Sequence, residues 1–428
     1  MIASRAAGRR RVAPRAPAGV LAAVLAAALL AGAGTAAPAP LAAAAAATVQ
    51  PAACPAGSAL LAGGPVTASH PARGVTVRSW VAADAGGHGV RLTVAQADLR
   101  AVRLAAASPS RFGAAGSTTQ LTAATTGAVA GVNGDYFAYD WSGAAIPYGP
   151  LVRGGRVLRL PPGLRPAVAA DAGGRPVAGG VRAAGTVRLA AAGGTPLPVV
   201  SVNDDGDVGR DTATRDPATT GGVAVVTPWL GPGRPHRTVE VVLRRGVVRA
   251  VAHRVPFGRG LRWGSGRAGQ GDVLLSASGA AATVLRRLTP GARVSVRYAA
   301  RAASGVLVRD AVGSGAALLR GGHVLAPCSG TGARSRPRTM VAWDAARRRV
   351  WLLVVTGSGP GSAVSRYGAT YRQIAQVARA LGASDAVMLD GGGSSTMAVR
   401  TGRRVARVDA PAGAPQRPVP DAVVLVRR

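Results

Sequence analysis

Asp390 closes a short apolar run, Ala386–Leu389, and is followed by Gly391-Gly392-Gly393 and the hydroxyl residues Ser394, Ser395 and Thr396. A brief apolar run bounded by turn formers reads as a buried strand, which would carry Asp390 to a strand end. Glycines let a ligand approach the main chain closely, successive amides can form an anion-binding concavity, and the hydroxyls add donors. The stretch suits a phosphate or a sugar, with one carboxylate at its rim. A glycine-rich turn without a ligand is the competing reading. A nucleotide P-loop needs a lysine after its glycines, and this chain contains none.

A second cluster is Val132-Asn133-Gly134-Asp135-Tyr136-Phe137. Asn-Gly at the end of an apolar run is ordinarily a hairpin turn. An asparagine, an aspartate and two aromatic rings this close also suit a sugar, with polar groups for hydroxyls and ring faces for the pyranose. Arg338-Thr339, opening the strand Met340–Trp343, offers a guanidinium to an anion. Asn203, Asp205 and Asp207 have the alternating spacing of calcium ligands, but the glycine and distal glutamate of an EF-hand loop are missing. A solvated turn is the preferred reading there. Cys54, Cys328 and the five scattered histidines supply no zinc-ligand spacing, so neither metal nor cofactor is expected.

The elements that must position these residues are mostly strands. Hairpins are expected over Val75–Ala82 with Val90–Val94, over Pro147–Leu160 turning at Gly154-Gly155, and over Met340–Trp343 with Val350–Val355. Two helical patterns stand out, Ala277–Leu288 and Gly368–Leu381. The second has Ile374, Val377, Ala378 and Leu381 on one face and Gly382 as a natural stop. Many strands, few helices and no regular βαβ alternation give an α+β fold of mixed or antiparallel sheets with a few flanking helices. The segment 76–428 reads as the functional domain, with 199–300 as an inserted lobe or second lobe.

Of 428 residues, 48% are hydrophobic but only 4% aromatic, so the core must be built mainly from Val, Leu and Ala. The net charge of +34 comes entirely from arginine, scattered singly along strands. Without finger spacing or a basic–aromatic alternation, specific nucleic-acid binding is not expected; an anionic cell-wall polymer fits the charge at least as well. Arg5, Arg9, Arg10, Arg11 and Arg15 precede the apolar run Gly19–Ala33, and small residues continue to Ala47. That is the pattern of a secretory signal peptide over 1–47, followed by a flexible segment, 48–75. The expected location is extracellular or at the cell envelope, with no stable membrane span after cleavage. In an exported chain the pair Cys54 and Cys328 invites a disulfide; two structural thiols are the alternative.

Taken together, Val132–Phe137, Arg338-Thr339 and Leu389–Thr396 resemble the phosphodiester glycosidase family. Val312–Leu319 and Arg417-Pro418-Val419-Pro420-Asp421-Ala422 are weaker matches. The resemblance implies hydrolysis of a sugar-1-phosphodiester, in cell-wall or exopolysaccharide material. Arg338 and Gly391, Gly392, Gly393, Ser394, Ser395 and Thr396 would hold the phosphate, and Asn133 and Phe137 the sugar. Asp135 and Asp390 would attack or stabilise the anomeric carbon or activate water, and their separation would distinguish inversion from retention. Two departures stand out. Relatives carry a glutamate where this chain has Gln373, and Asp-Gly-Arg or Asp-Gly-Gln where it has Thr356-Gly357-Ser358. A glutamine cannot exchange a proton as a carboxylate does, which leaves a non-catalytic carbohydrate or anionic-polymer binding protein as the alternative.

Overall fold

The computed structural model describes residues 57–84, 86–139, 143–190, 195–204, 221–230, 239–253, 272–359 and 363–428, all within a unit spanning Ala53–Arg428. The signal-peptide pattern, Cys54, Asp205 and Asp207 lie outside the described residues. Among the described residues no helix is long and apolar enough to cross a membrane.

The fold is α+β and dominated by antiparallel sheet. An eight-stranded sheet runs in the order Thr67–Ala72, Val75–Ala83, Gly89–Asp98, Arg349–Gly357, Arg338–Trp343, Asp385–Met388, Ala317–Arg320 and His323–Val324. A five-stranded sheet runs Arg404–Arg407, Met397–Thr401, Ala128–Asn133, Ala422–Arg427 and Val102–Ala107. A twelve-stranded sheet takes most strands between Leu151 and Gly313, and a short ribbon pairs Phe137–Tyr139 with Ala145–Pro147.

Period-two alternation explains how so few large side chains make a core. Along Arg349–Gly357, Val350, Leu352 and Val354 enter the core shared by the eight- and five-stranded sheets. Trp351, Leu353 and Val355 point the other way, into the core beneath the helix Tyr371–Ala380. The strand is therefore apolar on both faces, as a central strand covered on two sides must be. The helix buries Ile374, Ala375, Val377 and Ala378, with Ile374 and Val377 contributing roughly 1.5–3 kcal/mol each. Its end is closed by Gly382 N–H to Arg379 O and Ala383 N–H to Ala378 O, both 3.0 Å, the paired bonds of a Schellman motif.

Two local expectations are corrected. Asn133-Gly134 is no hairpin turn, because Ala128–Asn133 lies between Met397–Thr401 and Ala422–Arg427 and the chain then leaves the sheet. The helix expected over Ala277–Leu288 spans Gly279–Leu285, since Ala277 is claimed by the strand Val273–Ala277. A helix over Thr118–Ala124 was not anticipated from its Thr-rich sequence; a reciprocal capping box between Ser117 and Gln120 starts it.

Candidate active site

Two strands from different sheets end side by side. The chain leaving Asp385–Met388 reaches Asp390, and the chain leaving Ala128–Asn133 reaches Asp135. Asp390 N–H donates to Gly134 O at 3.0 Å, and Leu389 N–H donates to Thr339 O at 2.9 Å. The Asn133 side chain locks this junction. Its Nδ2 donates to Asp390 O at 2.8 Å, while Oδ1 accepts from Thr339 Oγ1 at 2.7 Å and from Thr396 N–H at 3.2 Å. Asn133 is fully buried, and its amide is committed to protein groups.

Asp390 itself is only half-buried. Gly391 N–H donates to its Oδ1 at 2.8 Å. Burial pushes the carboxyl above its ordinary range, opposed by the Ser394 hydroxyl, the Gly391 amide and the Arg417 guanidinium. Gly391, Gly392 and Gly393 are also half-buried, and Gly392–Ser394 forms a single 3-10 turn. The following hydroxyls turn inward: Ser394, Ser395 and Thr396 are each buried. The exposed Arg417 lies against Gly393 and reaches Ser394 Oγ with Nη1 at 3.4 Å.

Arg338 lies near Gly391, largely buried. Its Nε donates to Ala369 O at 3.1 Å and its Nη2 to Arg334 O at 2.9 Å. Its guanidinium carbon stands 4.2 Å from the centre of the Tyr371 ring, a cation–π arrangement. Burial lowers the Arg338 pKa, while Tyr371 and Tyr136 oppose the shift. Tyr136 and Tyr371 share a hydrogen bond, and the Tyr136 phenol is pushed up by burial first and then by Tyr371 and Asp390. The buried arginine thus sits against Tyr371, with Tyr136 close enough to feel both Arg338 and Asp390.

Behind this surface Asp135 and Asp421 form a buried pair. Asp421 Oδ1 accepts from Asp135 N–H at 2.8 Å, and Gly149 N–H donates to Asp135 Oδ2. A Cβ at Gly313 would collide with the Asp135 carboxylate, and one at Gly134 with Asp421, so glycine is required at both places for the carboxylates to fit. Asp421 Oδ2 has no hydrogen-bond partner among the described residues. Burial and the neighbouring Asp421 push the Asp135 carboxyl well above its ordinary range, against two backbone amides. Asp421 is pushed up to about 7, by burial and then by Asp390, with the Asp135 amide opposing. Burial thus favours the protonated form of both carboxyls, and the neighbouring Asp421 adds to the effect on Asp135.

The remaining candidates are set further into the scaffold. Phe137 packs partly against the core beside Leu121 and Val419 and meets Tyr139 edge to face at 5.4 Å. Gln373 is a helix cap: its Oε1 accepts from Thr370 N–H at 3.0 Å, and Gln373 N–H donates to Thr370 Oγ1 at 3.1 Å. Glutamate and glutamine serve that capping role alike. Thr356 donates its hydroxyl to Asp409 O at 2.6 Å. Asp409 in turn is held by Arg407 at 2.7 Å and accepts from Met397 N–H at 2.7 Å. Both departures from the family pattern are therefore structural braces here.

Tyr371 was not singled out from the sequence, and Asp421 and Arg417 only as part of a weak family match. Asp421 did carry a signal. Like Asp390 it is an acid flanking a short apolar strand, at the start of Ala422–Val426 rather than at an end.

Residues 238–426 match the family model of phosphodiester glycosidase. The resemblance read from the sequence thus holds over the stretch that includes Arg338, Asp390, the glycine loop, Arg417 and Asp421. Asn133 and Asp135 lie outside that match and join the site through the fold. A hypothetical protein from Synechocystis is similar in structure, with a TM-score of 0.65, 19% identity and 85% of this chain covered. The chain spans 64% of that protein's length. A protein from Burkholderia pseudomallei described as exported gives a TM-score of 0.57 at 23% identity, covering 79% of this chain and 74% of that one. These likenesses show the fold. The catalytic domain of zebrafish N-acetylglucosamine-1-phosphodiester alpha-N-acetylglucosaminidase is more distant, with a TM-score of 0.43 and 12% identity over 85% of this chain and 88% of that one. No curated protein matches the chain in sequence.

Proposed function

We propose that the chain is an exported hydrolase that cleaves the bond between a sugar C1 and a phosphodiester oxygen, acting on cell-wall or exopolysaccharide material. The observation that carries this reading is the surroundings of Asp390. It is a half-buried carboxylate at a strand end, next to a half-buried glycine loop, with Arg417 against Gly393 and the buried Arg338 near Gly391. The loop amides and Arg417 would hold the phosphate. Asp390 would meet the anomeric carbon or the attacking water. The leaving group is a phosphomonoester anion of low basicity, so no strong general acid is needed opposite it. Asn133 and the Asp135–Asp421 pair would act as positioning residues, fixing the main chain on which Asp390 is carried. The arginine-rich, apolar N-terminal pattern supports export.

The test is release of free sugar from UDP-N-acetylglucosamine and from a sugar-1-phosphate methyl diester. Turnover by the wild type, lost in Asp390→Asn while the melting temperature is kept, supports the reading. Saturable binding of these diesters without turnover would instead make this a carbohydrate-binding protein on the same fold.

A further inference from the structure

The twelve-stranded sheet carries a second concavity that the catalytic reading does not use. Its cavity volume is about 1490 Å³, larger than a site for one small molecule, which is roughly 300–1,000 Å³. Five arginines line it: Arg111, Arg156, Arg188, Arg245 and Arg293, against the single acid Asp272. They come from five separate segments, so this is no solvated face of one strand. All five are exposed, and among the described residues none is held in a salt bridge. Arg245 adopts a positive φ of 49°, a conformation that favours glycine or asparagine. Arg347 does the same at 51° in a turn elsewhere, so backbone alone decides little; the convergence of unpaired guanidinium groups decides more.

The cavity wall also holds Trp229 and Tyr298. Phe112 packs edge to face on Trp229 with ring centres 4.9 Å apart. That contact leaves a braced indole surface rather than a ladder of successive rings. Single-stranded nucleic acid is bound by such ladders, whereas a braced indole and a separate Tyr298 ring among spaced cations suit a pyranose flanked by phosphates. We propose that this cavity is a binding site for a phosphate-bearing polysaccharide, engaging several repeats of the polymer. The proposal goes beyond hydrolysis and does not depend on it.

The experiment measures binding rather than turnover. It uses full-length Asp390→Asn protein, so that any hydrolysis is suppressed, with a phosphodiester-linked glycan chain as probe and neutral dextran and an oligothymidylate as comparators. The triple variant Arg188→Glu, Arg245→Glu, Arg293→Glu is set beside a control with the same charge change elsewhere, Arg320→Glu, Arg379→Glu, Arg403→Glu; all six arginines are exposed. Because close charges steer and hold a polyanion, the cavity variant should lose about tenfold or more in affinity for the phosphoglycan, and the control less than about threefold. Equal losses in both would mean that bulk charge alone attracts the polymer and would overturn the proposal. Tighter binding of oligothymidylate than of phosphoglycan, sensitive to the same three arginines, would overturn it in favour of nucleic acid. Loss of affinity confined to the cavity variant would support it even if the wild type hydrolyses no diester.

Discussion

Asp390 and Asp421 are both strand-flanking aspartates tied to Gly134, one through the Gly134 carbonyl and the other through the Gly134 amide. Asp390 meets solvent beside a glycine loop and an exposed arginine. Asp421 is fully buried and spends one oxygen on the Asp135 amide. The same residue type is thus placed once where a ligand can reach it and once where only the protein can. The difference teaches that a raised pKa does not by itself mark a carboxylate that a ligand can reach. Asp135, only 2% exposed, falls on the Asp421 side of that line.

The contrast can be broken by substitution. Asp390→Asn should lower kcat on a sugar phosphodiester by roughly 10²–10⁴, with thermal stability unchanged within about 0.5 kcal/mol. An Asp390→Asn enzyme that keeps its turnover would erase the distinction. Asn133→Ala should lower stability as well as turnover. It leaves Asp390 O, Thr339 Oγ1 and Thr396 N without their partner, at a cost of about 2–4 kcal/mol in chemical denaturation.

Stability against pH sharpens the buried half of the comparison. A carboxyl whose folded pKa is raised is protonated in the native state after the unfolded chain has released its proton. Stability is then fully present below the ordinary carboxyl range and falls as pH rises. For Asp421 that window runs from its reference value of 3.8 to about 7. Asp135, Asp390 and Asp409 act in the same direction, while Asp84 and Asp98, lowered in the fold, oppose it. Urea midpoints should therefore decline between pH 5 and pH 8, and Asp421→Asn, which keeps an acceptor for the Asp135 amide, should flatten the decline by on the order of 1–3 kcal/mol. The smallest effect belongs to the helix cap. Gln373→Ala should cost about 1 kcal/mol, seen as a lower melting temperature, and change kcat less than tenfold.

Much of the β framework was legible because alternation and turn residues are local signals. Arg338–Trp343 and Arg349–Gly357 pair as the sequence indicates, from Arg338 opposite Val355 to Trp343 opposite Val350. The Asp390 loop could be read because glycines and hydroxyls after an apolar run are unusual without a ligand or a turn. What could not be read was long-range. Asn133 and Asp390 are 257 positions apart and meet through one hydrogen bond; Asp135 and Asp421 are 286 apart. Nothing in the spacing of Asn133 shows that its amide is consumed by Thr339, Thr396 and Asp390. Gln373 likewise looked like a missing acid until its carbonyl oxygen was found on the Thr370 amide. The arginine cavity was hidden for the opposite reason: in a chain whose 52 basic residues are all arginine, five that converge look no different from the rest.

The most direct test of the central claim is hydrolysis of a sugar-1-phosphate methyl diester in ¹⁸O-enriched water. Attack at the anomeric carbon, the chemistry assigned to Asp390, places the label in the sugar hydroxyl and leaves methyl phosphate unlabelled. Label in the phosphate would mean cleavage at phosphorus and would contradict the account.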